Sequence, residues 1–460
     1  MRQLRKVLSA LILLLALCSA AAQSCFRAGD PSRWSDAFTG NGVTGRKIMA
    51  MAGGKDGLYC LIQNQLSNLT GGMTTNSVVM RWDGRRWHTV GPAFPAATST
   101  TPRLIGMHLV GDSALYILGN FSTTTALNSP GIVRLNLRSM QYEAVGRGLG
   151  NGYVQRALAV GDTLYIMGQF TRVVDAVKQT VANNVARYAI RSNRWDSMGT
   201  GLGGFIPNIS DNIDFESMCQ ITAVPNGEVV FAARFTSAGG ISTNGLAGWK
   251  SGRGWRNLYG GPRAWNGSST AISPVPRTVI YSPRDTSLYI GGYVGYVVNT
   301  PTSRAGQWGW ARLRDTLWTK RVEDSTWKAD SFWLYRATGL NGHVLYDGFI
   351  DSARRNIYVG GEFQTIGSTG DVKVFDIATG RFSRLNKGIS NAGRVRCMAW
   401  WNGRLYAAGT ITEVDSFYRV DQLAQYDGKR WLPVGWGLST ASTTRGINAL
   451  LEDSKGNVYA

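Results

Sequence analysis

Three histidines and five cysteines are all that 460 residues supply of the side chains that most often hold transition metals. His88, His108 and His343 are scattered singly, without the close spacing that metal sites require. No Gly-x-Ser-x-Gly elbow, Cys-x-x-Cys pair or phosphate-binding loop occurs, so hydrolase, redox and nucleotide chemistry each lack their usual local signature. Charged residues make up only 17% of the chain, and no run of five or six Lys or Arg marks a basic tail. After the first two dozen residues no apolar stretch reaches the length of a membrane span. The sequence assigns no catalytic residue, metal or cofactor.

Those first residues have a pattern of their own. Arg2, Arg5 and Lys6 precede an apolar run from Val7 to Leu17, and Ala20, Ala21 and Ala22 offer a small-residue cleavage site. Residues 1–22 are therefore expected to be a secretory signal peptide, and the mature chain to be 23–460. Leu17 stands before Cys18 where a lipoprotein box needs a small residue, and Cys25 lacks an upstream box. Cys25, Cys60, Cys219 and Cys397 remain after cleavage. Four cysteines allow three pairings. Cys25 with Cys60 is the favoured one, while Cys219 and Cys397, in corresponding segments three units apart, can equally stay buried free thiols.

What the chain has in abundance is glycine (57), tyrosine (18) and tryptophan (16), deployed in a repeat. The phrase reads LYC at Leu58, LYILGNF at Leu115, LYIMGQF at Leu164 and VFAARF at Val230. It continues as LYIGGYV at Leu288, IYVGGEF at Ile357, LYAAGTI at Leu405 and VYA at Val458. A short apolar, small-residue run precedes each phrase, as in RALAV from Arg156. A third strand and a turn into an aromatic follow, as in RYAIRSNRW from Arg187 and QYDGKRW from Gln425, and a glycine step such as SMGTGL at Ser197 closes the unit. Asp83-Gly84 and Asp427-Gly428 are pairs suited to the centre of a two-residue hairpin, where both positions need positive φ. A recurring unit of about fifty residues with four short strands is the signature of a repeat architecture. The fold expected is an all-β propeller of four-stranded antiparallel blades. It would have seven complete units, at about 34–94, 101–150, 151–204, 213–261, 271–342, 343–391 and 394–439, plus an incomplete eighth at 445–460. Glycine inside a strand weakens it, so Gly291-Gly292 and Gly360-Gly361 predict close approach of a neighbouring blade. A second strand ending at Ala460 suggests that the chain is a fragment, with any anchor lying beyond.

The best single match to a known pattern runs from Gly161 to Leu202. There Leu164, Tyr165, Gly168, Phe170, Thr171, Asn183, Asn184, Ala186, Arg187, Trp195, Gly199, Gly201 and Leu202 stand in order. This resembles the kelch-like repeats of secreted and cell-surface propellers, including the fungal cortical markers for cell polarity and similar bacterial surface repeat proteins. The resemblance implies surface display and binding. It carries no catalytic residue, and fold alone does not imply function.

Charge and aromatic placement suggest the kind of ligand. The net charge of +20 falls by three with the leader and still favours acidic partners, which outside a cell means acidic polysaccharide or a surface protein rather than nucleic acid. The fifth unit departs most from the repeat, and its Trp308, Trp310, Arg312, Arg314 and Trp333 could pair stacking rings with cations at a glycan surface. Asn68, Asn208 and Asn266 are the candidate N-glycosylation sites. Asn120 also begins an acceptor sequence, but inside the repeat phrase, where a strand end could hide it. The alternative reading is an extracellular carbohydrate-active or oxidising enzyme with its site on the propeller axis. It would need a carboxylate pair drawn from Asp214, Glu216, Asp347 and Asp351, or paired His near a Tyr cross-linked to Cys. The acidic residues read more simply as turn Asp and Glu at strand ends. A binding and scaffolding propeller is the expectation.

Overall fold

The computed structural model describes residues 47–460 except 64–78, 84–86, 93, 96–102, 206–218, 259–260, 266–270, 273–274, 294–295, 298–309, 315–331, 335–344, 352–354, 362–371, 386–388, 391–394, 402, 416–417, 435–445, 448 and 453–457. Seven four-stranded antiparallel sheets succeed one another along the described residues. Unit III shows the plan: an inner strand Tyr153–Val160, a second Thr163–Gln169, a third Val185–Ala189 and an outer Arg194–Ser197. The inner strands of the other six are Lys47–Gly54 (I), Arg103–Val110 (II), Gln220–Ala223 (IV), Val275–Ser282 (V), Leu345–Ile350 (VI) and Val395–Trp401 (VII). Each inner strand neighbours the next, I to II and onward to VII. A two-stranded piece, Leu451–Glu452 with Val458–Tyr459, lies against the inner strands of both VII and I. The chain is a β-propeller.

The core is a succession of layers between units rather than one central mass. Tyr116 and Ile132 of unit II pack with Leu164, Ile166 and Trp195 of unit III. Tyr165 and Met167, on the opposite face of the same second strand, pack with Phe231 and Val229 of unit IV. Alternation along the Leu-Tyr phrase therefore serves two interfaces, Leu toward the preceding unit and Tyr toward the following one, as the period of two dictates. In unit IV it is Val229 and Phe231 that face unit III and Val230 that faces unit V, so the phrase there begins one residue earlier than Val230. Further layers join I to II, IV to V, V to VI and VI to VII. Leu451 and Tyr459 join unit I, while Ile447 and Val458 join unit VII.

The repeat's glycines and tryptophan find their reasons in these joints. The Trp195 indole N–H donates to the Val145 carbonyl of unit II at 3.0 Å, Trp255 to Met198 of unit III at 2.5 Å, and Trp431 to Leu385 of unit VI at 3.0 Å. Gly146, next to the accepting carbonyl, has φ +62, and a methyl group there would strike the Trp195 ring at 2.6 Å. The closing step is also paired across units. Leu202–Gly203 ladders with Ser237–Ala238 of unit IV, Ile389–Ser390 with Glu413–Val414 of unit VII, and Leu149 bridges Val173 of unit III. At Gly360 a methyl would meet Val395 of unit VII at 2.6 Å, the close approach of a neighbour that the sequence predicts.

One expected turn takes another form. Tyr426 pairs with Trp431, so four residues make the hairpin that the Asp427-Gly428 pattern would close with two. Of that pair, Gly428 has positive φ and Asp427 does not. The Asp427 carboxylate instead accepts the N–H groups of Lys429 and Arg430 at 2.8 and 2.9 Å. These donors hold it below the usual carboxylate range. The side chain stabilises the wider loop that the dipeptide pattern misses. Asp83-Gly84 falls partly outside the described residues.

Candidate functional site at the inner rim

Among the described residues, six of the inner strands carry a β-bulge at the same level. Their register skips Met49, Ile105, Gln155, Arg277, Tyr346 and Arg396, each opposite the end of the Leu-Tyr phrase. A bulge bends its strand and re-aims the residues beside it, and here those residues reach the neighbouring inner strand. Arg156 Nε donates to the Cys219 carbonyl at 3.1 Å, and the Cys219 thiol donates to Gln155 Oε1 at 3.1 Å. Gln220 Nε2 donates to the Arg277 carbonyl at 2.7 Å. Asp347 Oδ2 accepts the Met398 N–H at 2.8 Å, and Oδ1 accepts that of Gly348 at 2.8 Å. His108 Nε2 accepts the Ala159 N–H at 3.1 Å, which places the neutral ring's proton on Nδ1. Because these bridges join positions within one residue of correspondence on successive inner strands, the inner strands run in one direction around the rim.

Electrostatics follow from enclosure. Burial pushes the Asp347 carboxyl up, offset in part by its two N–H donors and by the Arg156 guanidinium. His108 is held below its ordinary value by burial, with the Arg156 charge adding to the effect. The Cys219 thiol is pushed up to about 12, again by burial. Burial likewise takes Cys60 to about 12 and Cys397 well above its ordinary value, so among the described residues all three are buried free thiols that stay protonated at neutral pH. Cys25, the expected partner of Cys60, lies outside those residues.

The residues singled out in the sequence are distributed as follows. Trp310 is only 7% exposed and packs its ring against Tyr289, Phe375 and Phe382 in the layer between units V and VI. Arg312 pairs with Asp285 at 2.6 Å, donates to Ser287 Oγ at 3.1 Å and lies 5.7 Å from the Tyr289 ring centre. Both side chains thus serve the interior of unit V. Arg314 ends the same third strand, Trp333 stands opposite Leu313 on the outer strand, and Trp308 lies outside the described residues. Of the acids, Asp351 accepts from the Arg355 N–H and from Asn356 Nδ2 as a turn residue. Asp347 departs from the turn role by joining two units. Asp214, Glu216, His343, Cys25, Asn68, Asn208 and Asn266 lie outside the described residues. Asn120 ends its strand exposed, so the strand end does not hide it. Sequence reasoning missed Arg156, Gln155, Gln220 and His108 as rim residues, because the bulge that aligns them has no residue signature.

No protein-family model matches the chain, and no curated protein matches it. Solved structures do. The extracellular domain of the one-component system BT4673 from B. thetaiotaomicron is 12% identical with a TM-score of 0.39, covering 91% of this chain and 50% of that one. The present chain thus spans about half the length of that relative. YCF48 from Cyanidioschyzon merolae is 12% identical with a TM-score of 0.42, covering 80% of this chain and 94% of that one. YCF48 bound to D1 peptide is 11% identical with a TM-score of 0.42, covering 84% and 92%.

Proposed function

We propose that the chain is an extracellular or cell-surface binding and scaffolding propeller, displayed after removal of residues 1–22, whose target is an acidic polysaccharide. The observation that carries this reading is the use made of the rim's polar groups. Arg156, Gln220, His108 and Asp347 are each engaged in joining one unit to the next, so these rim groups serve the fold rather than form a reacting set. The positive balance of the whole chain supports an acidic target. The resemblance to fungal polarity markers and bacterial surface repeat proteins, and the leader-like start, support display outside the cell. Trp308, Arg314 and Trp333 of unit V remain a proposed aromatic and basic contact surface, and Asn68, Asn208 and Asn266 proposed glycan acceptors.

The test is retention of the purified mature chain on immobilised polygalacturonate against neutral dextran, with an assay for released reducing ends. Salt-reversible retention on the acidic polymer without product release is expected. Equal flow-through on both resins, or steady release of reducing ends, would overturn the reading.

A further inference from the structure

Between its second and third strands, unit III carries a hairpin, Arg172–Val174 with Gln179–Val181, that reaches further out than its counterparts. One backbone bond closes the same hairpin in three units: Ala182 N–H to the Thr171 carbonyl at 2.9 Å, Thr243 to Thr236 at 3.0 Å in unit IV, and Val420 to Thr412 at 2.9 Å in unit VII. Of these spans, Thr171 to Ala182 is the longest. Its inward side is fixed in the layer between units II and III, where Val173 and Ala182 are buried and Leu149 of unit II bridges Val173. The turn is fixed as well. Asp175, only 3% exposed, accepts the Val177 and Lys178 N–H groups on Oδ1 at 2.8 and 2.9 Å.

The outward side is both apolar and cationic. Val177 and Val181, 70% and 66% exposed, are the most exposed large apolar side chains among the described residues. Arg172 is the register partner of Val181, so the two share a face of the hairpin, and Lys178 adjoins Val177 at the turn. Arg147 of unit II stands at the flank, its N–H donated to the Val174 carbonyl at 2.7 Å. Arg147, Arg172 and Lys178 are exposed, and none of the three makes an ion pair among the described residues. Neither counterpart has this surface. The unit IV span, TSAGGIST, has no charge, and that of unit VII sets Glu413 and Asp415 against Arg419. Where unit III has Val181, just before the closing residue, unit IV has Ser242 and unit VII has Arg419.

We propose that this hairpin is a docking surface for an acidic segment of a partner protein, whose apolar side chains cover Val177 and Val181 while its carboxylates meet Arg172 and Lys178, with Arg147 beside them. The site is distinct from the polysaccharide target and does not depend on it. A sugar polymer would engage the cations and leave both valines in water. Side chains that settle into a membrane interface are typically aromatic, and residues 171–182 include none. A protein segment supplies both halves of the match: covering the valines removes apolar surface from water, and carboxylates suit guanidinium and ammonium groups. A hairpin already fixed by Val173 and Asp175 loses little freedom on binding.

The experiment follows, by fluorescence anisotropy, binding of a labelled octapeptide alternating Glu and Val to the purified chain, against peptides alternating Glu with Ser and Lys with Val. The Glu-Val peptide should bind most tightly and the Lys-Val peptide not at all. Val181→Ser should weaken Glu-Val binding about ten-fold, as loss of one covered aliphatic side chain implies, and Arg172→Gln or Lys178→Gln about three-fold, as exposed charge pairs do. Arg430→Gln in unit VII, whose side chain is 59% accessible, should match wild type. Unit IV already has Ser242 at the place of Val181, so Val181→Ser suits the hairpin, and an unchanged thermal midpoint checks that it folds. No binding of the Glu-Val peptide by wild type, or equal affinity for the Glu-Val and Glu-Ser peptides, would overturn the proposal. Equal losses from Arg430→Gln and Arg172→Gln would mean attraction by overall charge and overturn it too. Oligogalacturonate affinity should be the same in Val181→Ser and wild type; a loss there would assign the hairpin to the polysaccharide instead. Phosphatidylserine vesicles bound through Val181, with no peptide bound, would assign it to a membrane.

Discussion

The joints between units are made twice, and the two versions differ in kind. Near the outer edge, units III, IV and VII use one device, an indole N–H on the carbonyl of the preceding unit's closing step. At the inner rim no two joints are alike: His108 to Ala159, Arg156 to Cys219, Gln220 to Arg277 and Asp347 to Met398. Where it is made, at Trp195, Trp255 and Trp431, the outer joint meets an indole N–H that would be costly to leave unpaired in a dry layer. The inner joint needs only some polar group able to reach a neighbouring strand, so each unit can meet it with different chemistry. Units III, IV and VII therefore reuse one outer contact, while the described rim joints each use a different one.

The largest test of this contrast removes an outer joint altogether. Trp431 is fully buried, and Trp431→Ala should cost about 3–5 kcal/mol in chemical denaturation. A loss no greater than that of an exposed substitution would show that the outer joint carries no weight. Asp347→Ala strands the N–H groups of Met398 and Gly348 and should cost about 1–3 kcal/mol. Trp195→Phe keeps the ring but not the donor; the Val145 carbonyl still accepts the Gly148 N–H at 2.9 Å, so the cost falls in the lower part of that range, about 1 kcal/mol. If the inner substitution were the milder of these two, the rim would be less important to the fold than its bridges imply.

The smallest effects are pH dependences of opposite sign. The Asp347 carboxyl lies above its ordinary value, so the native state binds its proton more readily than the unfolded chain. Its contribution to stability therefore rises as pH falls through the raised native value toward about 4. His108 lies below its ordinary value, so its contribution is complete above about pH 6.5 and is lost as pH falls toward the lower native value. Thermal midpoints between pH 4 and 8 should show the acid-side loss reduced in His108→Gln and deepened in Asp347→Asn. Parallel pH profiles for both variants and wild type would remove these two groups from the account.

Much of the scaffold is legible in the residues themselves. The alternation in Leu164-Tyr165-Ile166-Met167 signals a strand buried on both faces, and the glycine at Gly360 announces a neighbour's approach, because both are consequences of local period and size. The Asp427 turn departs from its dipeptide pattern because a side chain accepting two N–H groups favours a longer loop than the two-residue rule assumes. Trp310 and Arg312 invite a surface reading by type, yet their strand carries them into the layer between units V and VI, where an aromatic cluster and Asp285 receive them. Which faces of a unit are covered depends on its neighbours, and the unit's own residues do not state it.

Local sequence settles the four-strand unit, its order, and the residues that must be glycine or tryptophan, since these answer to backbone geometry and to a burial pattern repeated every fifty residues or so. The character of the inner rim comes from the assembled ring. Residues some fifty positions apart meet there only because six bulges align at one level along successive inner strands, so that Arg156 reaches Cys219 and Asp347 reaches Met398. Such convergence is set by the packing of successive units, a long-range property that no local run of residues encodes.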